Sequence, residues 1–297
     1  MPQPRAFAQG ECEPAPPGLR LQLDAKAGRQ GWPASCNIEF FAYSGEAVLF
    51  VFRALLLLAA LISPASAENR PAIEAGVKDA ANQLQLYLDF AAKTGRRADF
   101  SAPPVSDLFA TVFDLKQLAA LPPPQASDLP WLMNWMAAAN GVLKSILYFG
   151  INPPADPIAD APAIKRNATD YEDQEAVALS FLIQIGAREI RSAFLFMDQL
   201  TPQQHTPIRE EGFKSARTHS VETLYGGLVT IAQGMKPANA RLLSAAIRDT
   251  IDVWVADIFP KDRPLILNQL AQAGKATDDG EAQKNLAAFG AALAEAK

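Results

Sequence analysis

From residue 68 onward, apolar side chains recur at spacings of three and four, and no window keeps the every-second-residue alternation of a strand. That periodicity commits the chain to an all-α fold. Ile73, Val77, Ala80, Leu84, Leu88 and Ala91 draw one apolar face on a helix predicted over 71–94, with Gly95 as its stop. A second helix, 105–121, carries Leu108, Phe109, Val112 and Phe113 and ends at Pro122-Pro123-Pro124. Ser127 or Asp128 caps a third, which holds Trp131, Trp135, Met136, Leu143, Ile146 and Leu147 and runs to Phe149. Residues 152–167 contain four prolines and read as an irregular loop, a candidate lid or hinge.

Thr169-Asp170-Tyr171-Glu172 has the spacing of a capping box and opens a fourth helix reaching about residue 200. Leu179, Leu182, Ile183, Gly186, Ile190, Ala193 and Met197 line one side of it, and Val177, Phe181 and Leu195 the other. A helix apolar on two sides belongs at the centre of a fold. Thr206-Pro207 starts a fifth helix, closed by Gly234. A sixth spans 238–259 with Leu243, Ile247, Ile251, Trp254 and Ile258 inward, and Pro260 ends it. A short seventh covers 264–273, and Asp278-Asp279-Gly280-Glu281 caps a last Ala-rich helix. The expectation is a bundle of seven or eight helices forming one domain over 68–297, with no fixed-period repeat.

Residues 48–67, VLFVFRALLLLAALISPASA, decide the address. Arg53 supplies a charge, residues 54–62 an unbroken apolar run, Pro64 a break, and Ala65-Ser66-Ala67 a small-x-small cleavage pattern. Together these describe a secretory signal peptide cut after Ala67. The run is short against the roughly 20 residues of a membrane span, which leaves an uncleaved anchor over 49–62 as the rival. Residues 1–47 form an aperiodic leader rich in Pro and Gly, read as upstream translation ahead of the true start. The product is a periplasmic or secreted bacterial protein beginning at Glu68, with no stable membrane association after cleavage.

Charge and cysteine usage exclude several classes. The chain has 27 basic and 32 acidic residues, five of each before residue 68, so both the whole and the remainder carry −5. A mildly acidic surface argues against nucleic acid as a partner. Cys12 and Cys36 both precede residue 68, which leaves the helical part without disulfides, thiolate metal sites or a cysteine nucleophile. The sequence shows no phosphate loop, dinucleotide fingerprint, nucleophile elbow or zinc-protease motif, and no cofactor or metal is expected.

The candidate site is built from charge in apolar places. Arg217 lies within the stripe of Phe213, Val221, Leu224, Leu228 and Ile231, with Ser220 nearby, while Arg188 and Arg191 share a line with Gln184 on the central helix. A charge in such a stripe must snorkel, pair or line a cavity. If the two faces meet, Arg188, Arg191, Arg217 and Ser220 form a site for a small anionic ligand. The structural alternative pairs these arginines with Glu189, Asp198 or Asp257.

His205 and His219 read as solvated, the latter beside Glu222. Gly226-Gly227 inside a helix points to close helix packing, and Trp131, Trp135 and Met136 to core. The favoured function is a small-ligand or protein-binding module. The alternatives are a hydrolase-type enzyme using Glu189, His219 or Glu222 as acid and base, and a membrane-anchored structural protein.

Overall fold

The computed structural model describes residues 70–152, 155, 156 and 158–296, so the leader and the export segment lie outside the described residues. Among the described residues every regular element is helical. In chain order they are α1 (Arg70–Lys93), α2 (Val105–Val112), α3 (Leu115–Ala120), a 3-10 turn (Ala126–Asp128), α4 (Leu129–Leu147), α5 (Ala161–Asp170) and α6 (Glu172–Asp198). There follow a second 3-10 turn (Pro202–Gln204), α7 (Pro207–Ala232), α8 (Pro237–Arg248), α9 (Ile251–Asp257), α10 (Arg263–Ala276) and α11 (Gly280–Glu295).

The helical segments outnumber the seven or eight expected because two predicted helices are broken and one predicted loop folds. The stretch 105–121 divides into α2 and α3, since Phe113 leaves helical geometry and the Asp114 carboxylate accepts the Gln117 N–H as a new cap. Likewise 238–259 divides into α8 and α9 at Asp249–Thr250. There the Thr250 hydroxyl donates to the carbonyls of Ala246 and Ile247 while accepting the Trp254 indole N–H. Within the predicted loop 152–167, Pro162 falls in the first turn of α5, where its missing N–H costs nothing, so the helix forms after all.

Two predicted caps also differ. Tyr171, not Thr169, stands at the N-cap of α6 without a side-chain cap. The Thr169 hydroxyl instead bonds Lys165 O within α5, and Glu172 accepts from Lys236 N and Asn239 Nδ2. Asp128 reaches back to Gln125 N rather than forward into α4. The remaining punctuation holds. Gly95 ends α1 at φ +66, a region open to glycine at little cost; Thr206 accepts the Arg209 N–H, and Asp279 accepts from Glu281 and Ala282.

α6 is the central element, packed against α4, α7 and α8, with α1 behind α4 and α11 against α8 and α10. Trp135, Phe181, Leu179, Leu182, Leu224, Leu243, Ile247 and Trp254 are buried in one main core. Full burial of each such side chain stabilises by about 1.5–3 kcal/mol. A Cβ at Gly227 would lie 2.9 Å from Ile183 Cδ1 and 3.6 Å from Leu243 Cδ1, so this glycine is where α7 approaches α6 and α8 most closely. Trp131, Trp135 and Met136 are core, as their helical spacing implied. Asn167 is buried, its amide donating to Leu147 O and Phe149 O, so its glycosylation-like triplet serves the end of α4. No described helix is long and apolar enough to cross a membrane.

Candidate functional site

The four residues picked from the sequence meet different surroundings. Arg217, on α7, donates from Nε to the Asp257 carboxylate and from Nη2 to Asp257 O at the end of α9. Its guanidinium sits 4.1 Å from the Phe259 ring centroid, with Phe194 at 5.4 Å and Phe213 at 5.8 Å. The ion pair with Asp257 anticipated from the sequence is therefore present. Arg188 donates to Pro122 O and Leu121 O, using its guanidinium to close the chain ends that the prolines leave open. Burial lowers its pKa from the ordinary arginine value, the Asp128 charge acting the other way. Arg191 is 53% exposed and lies 3.9 Å from Asp252, itself on the surface. Ser220 is buried near the α6 backbone at Gly186. The three guanidiniums thus take three separate partners.

His205 is exposed and pairs with Glu210. His219 corrects the sequence reading: its side chain is only 18% exposed, both ring nitrogens are enclosed without a hydrogen-bond partner, and Glu222 stands 3.9 Å away.

The most distinctive site lies elsewhere on the same helices. Ala126, Leu129, Met133, Ala193, Phe196 and Met197 form a second apolar cluster separate from the main core, with Leu200 and Phe213 packed against it. Satellite clusters of this kind are common. This one encloses a small pocket lined by Leu129 and Met133 of α4, Glu189, Ala193, Phe196 and Met197 of α6, and Phe213 and Ala216 of α7. Glu189 is its one titratable lining residue. The side chain is 4% exposed, and Oε2 has no hydrogen-bond partner. Burial pushes the carboxyl up to about 7, and the charge of His219 pulls weakly the other way. Among the described residues no group of three His, Cys, Asp or Glu side chains could hold a metal ion.

The sequence named Glu189 as a counter-ion or an acid, but not as the floor of a pocket. A signal existed: Gly186, Glu189, Ala193 and Phe196 follow one helical line, on which a single acid interrupts small and apolar residues. Glu175, nearer the start of α6, was missed as well. It is buried, and desolvation, with the Glu172 charge adding, raises it to about 8. No protein-family description, no curated protein and no solved structure is detectably similar to this chain.

Proposed function

We propose that this chain is an exported helical binding module that takes a small ligand with an apolar body into the pocket around Glu189. The observation that carries the reading is a fully buried carboxyl oxygen without a partner, set in an apolar cluster apart from the main core. An unpaired buried charge costs several kcal/mol, and leucine or methionine would make this cluster more stable. Retaining an acid in such a place is the pattern of a binding or reactive site. An anion-binding site at Arg188, Arg191 and Arg217 has less support, because Arg188 and Arg217 already satisfy protein oxygens. Export rests on the signal-like residues 48–67.

The direct test is mass spectrometry on protein recovered from its own host. A denatured mass beginning at Glu68 supports export, whereas an intact chain that resists alkaline extraction from membranes favours the anchor. Extra mass in the native spectrum, absent from a Glu189→Gln variant, supports the pocket. A bare protein in both, together with no response to small apolar probes, rejects it.

A second reading follows from His219. Its unpartnered ring nitrogens and its charge coupling to Glu189 resemble an acid–base pair, and a carboxyl near 7 suits proton transfer at neutral pH. It is the weaker reading because the pocket lining offers no second titratable group and no nucleophile. Hydrolysis of ester or glycoside probes that disappears in both Glu189→Gln and His219→Asn would promote it over binding.

A further inference from the structure

We infer that the ligand of the Glu189 pocket is a small alkyl amine, its ammonium group meeting the Glu189 carboxylate and its hydrocarbon part lying among Met133, Ala193, Phe196, Met197 and Phe213. This rests on the pocket reading above and adds the chemistry of the head group.

The lining provides one polar group, and an ionised carboxylate is an acceptor only. It therefore selects a donor and rejects an anion. A neutral alcohol or amide would supply a hydrogen bond to Oε2 but leave the charge unmatched. An ammonium supplies both, and charge-assisted bonds are about twice as strong as neutral ones.

The walls agree with a cation. Phe196 and Phe213 are aromatic lining residues, and Phe213 already lies 5.8 Å from the Arg217 guanidinium, so this part of the fold accepts positive charge beside its rings. The neighbouring cations are engaged elsewhere: Arg217 on Asp257, Arg188 on the 121 and 122 carbonyls, and Arg70 on Asp128.

The pocket is closed around a space little larger than a water molecule, so entry requires its walls to move. Met133 and Met197 are the walls suited to that. Their unbranched thioether chains change shape at low cost, and they belong to the cluster's two helices, α4 and α6. Phe213 and Ala216 on α7 are only partly buried and mark the outer side.

The test uses the protein recovered from its host, titrated with n-butylammonium chloride at neutral pH, with n-butanol and sodium butanoate as matched probes. Thermal midpoint and the Met133 and Met197 methyl resonances are followed together. The expected result is a saturable rise in midpoint and movement of both methyl signals with the ammonium, about tenfold weaker binding of butanol, and none of butanoate. Glu189→Gln should weaken ammonium binding by about tenfold or more. Ala193→Leu, which fills the pocket and leaves the carboxyl in place, should abolish it, and serves if the first variant does not fold. Equal affinity for butanol and butylammonium, or retention in Glu189→Gln, overturns the amine head group while the pocket stands. No saturable response to any probe overturns both.

Discussion

Two buried acids in this molecule lie beside the same helix α7, and they are treated in opposite ways. Asp257, fully buried at the end of α9, receives the Arg217 guanidinium through side chain and backbone and shares it with a shell of phenylalanines. Glu189, almost as buried, has an oxygen facing apolar walls and no bonded partner. Desolvation raises the pKa of both, but only Asp257 has a bonded cation pulling it back. The pair at Asp257 joins α7 to α9 and is architecture. At Glu189 the same physics leaves an unfilled demand, and that demand is the reason to place function there.

The contrast fails most visibly if Asp257 is made to resemble Glu189. Arg217→Met strands a fully buried carboxylate and should cost about 3–5 kcal/mol in urea-unfolding free energy. A loss under about 1 kcal/mol would show that the pair is no more than a surface contact and that the two acids do not differ.

Next in size is the pH dependence. Glu189 and Glu175 are raised from 4.5 to about 7 and about 8 in the folded protein. Their contribution is complete below about pH 4.5 and is lost as pH rises through those folded values, because the unfolded chain gives up its protons first. Each tenfold rise in proton affinity on folding is worth about 1.4 kcal/mol, so stability should fall by several kcal/mol between about pH 5 and about pH 9. Glu189→Gln, neutral and nearly isosteric, should recover about 2–3 kcal/mol of that loss at the alkaline end and nothing near pH 4.5. A flat profile in the wild-type protein would mean that water or solvent motion relieves both acids.

Gly227→Ala probes the well-packed side. The new methyl would stand 2.9 Å from Ile183 Cδ1, and overpacking of about 1–3 kcal/mol outweighs the roughly 1 kcal/mol gained in helix propensity. Thermal unfolding should show a net loss of about 1–2 kcal/mol with no change in probe binding at Glu189. The smallest effect belongs to Thr206→Ala, which removes the α7 cap, a bond of 3.4 Å, and should cost about 0.5–1 kcal/mol. That loss should add to the effect of Glu189→Gln, since the two act at separate points; coupling between them would show that the first turn of α7 gates the pocket.

Much of the architecture was readable because it depends on local rules. Gly95, Pro122–Pro124, Thr206-Pro207 and Asp279 mark helix ends wherever they sit, and the two-sided apolar pattern of α6 placed it at the centre. The misreadings came where a side chain chose between local and distant partners. Thr250 turned its hydroxyl back onto α8 and took the Trp254 indole, ending one helix and starting another. Glu172 abandoned a capping role for Lys236 and Asn239, more than sixty positions away. His219 looked solvated on a helical wheel drawn for α7 alone, yet neighbouring helices enclose its ring.

Composition and spacing were enough to establish an all-helical chain without thiols in its helical part, with most of its helix boundaries and its central helix. These follow from backbone hydrogen bonding, proline and glycine sterics and the 3.6-residue period, all of which act over one or two turns. Which charges are satisfied was settled only by the tertiary structure. Arg217 and Glu189 were equally plausible partners on paper, but α9 brings Asp257 to the arginine and leaves the glutamate among Met133, Phe196 and Met197. The energy of a buried charge depends on groups that folding brings from other parts of the chain, and no local pattern encodes their arrival.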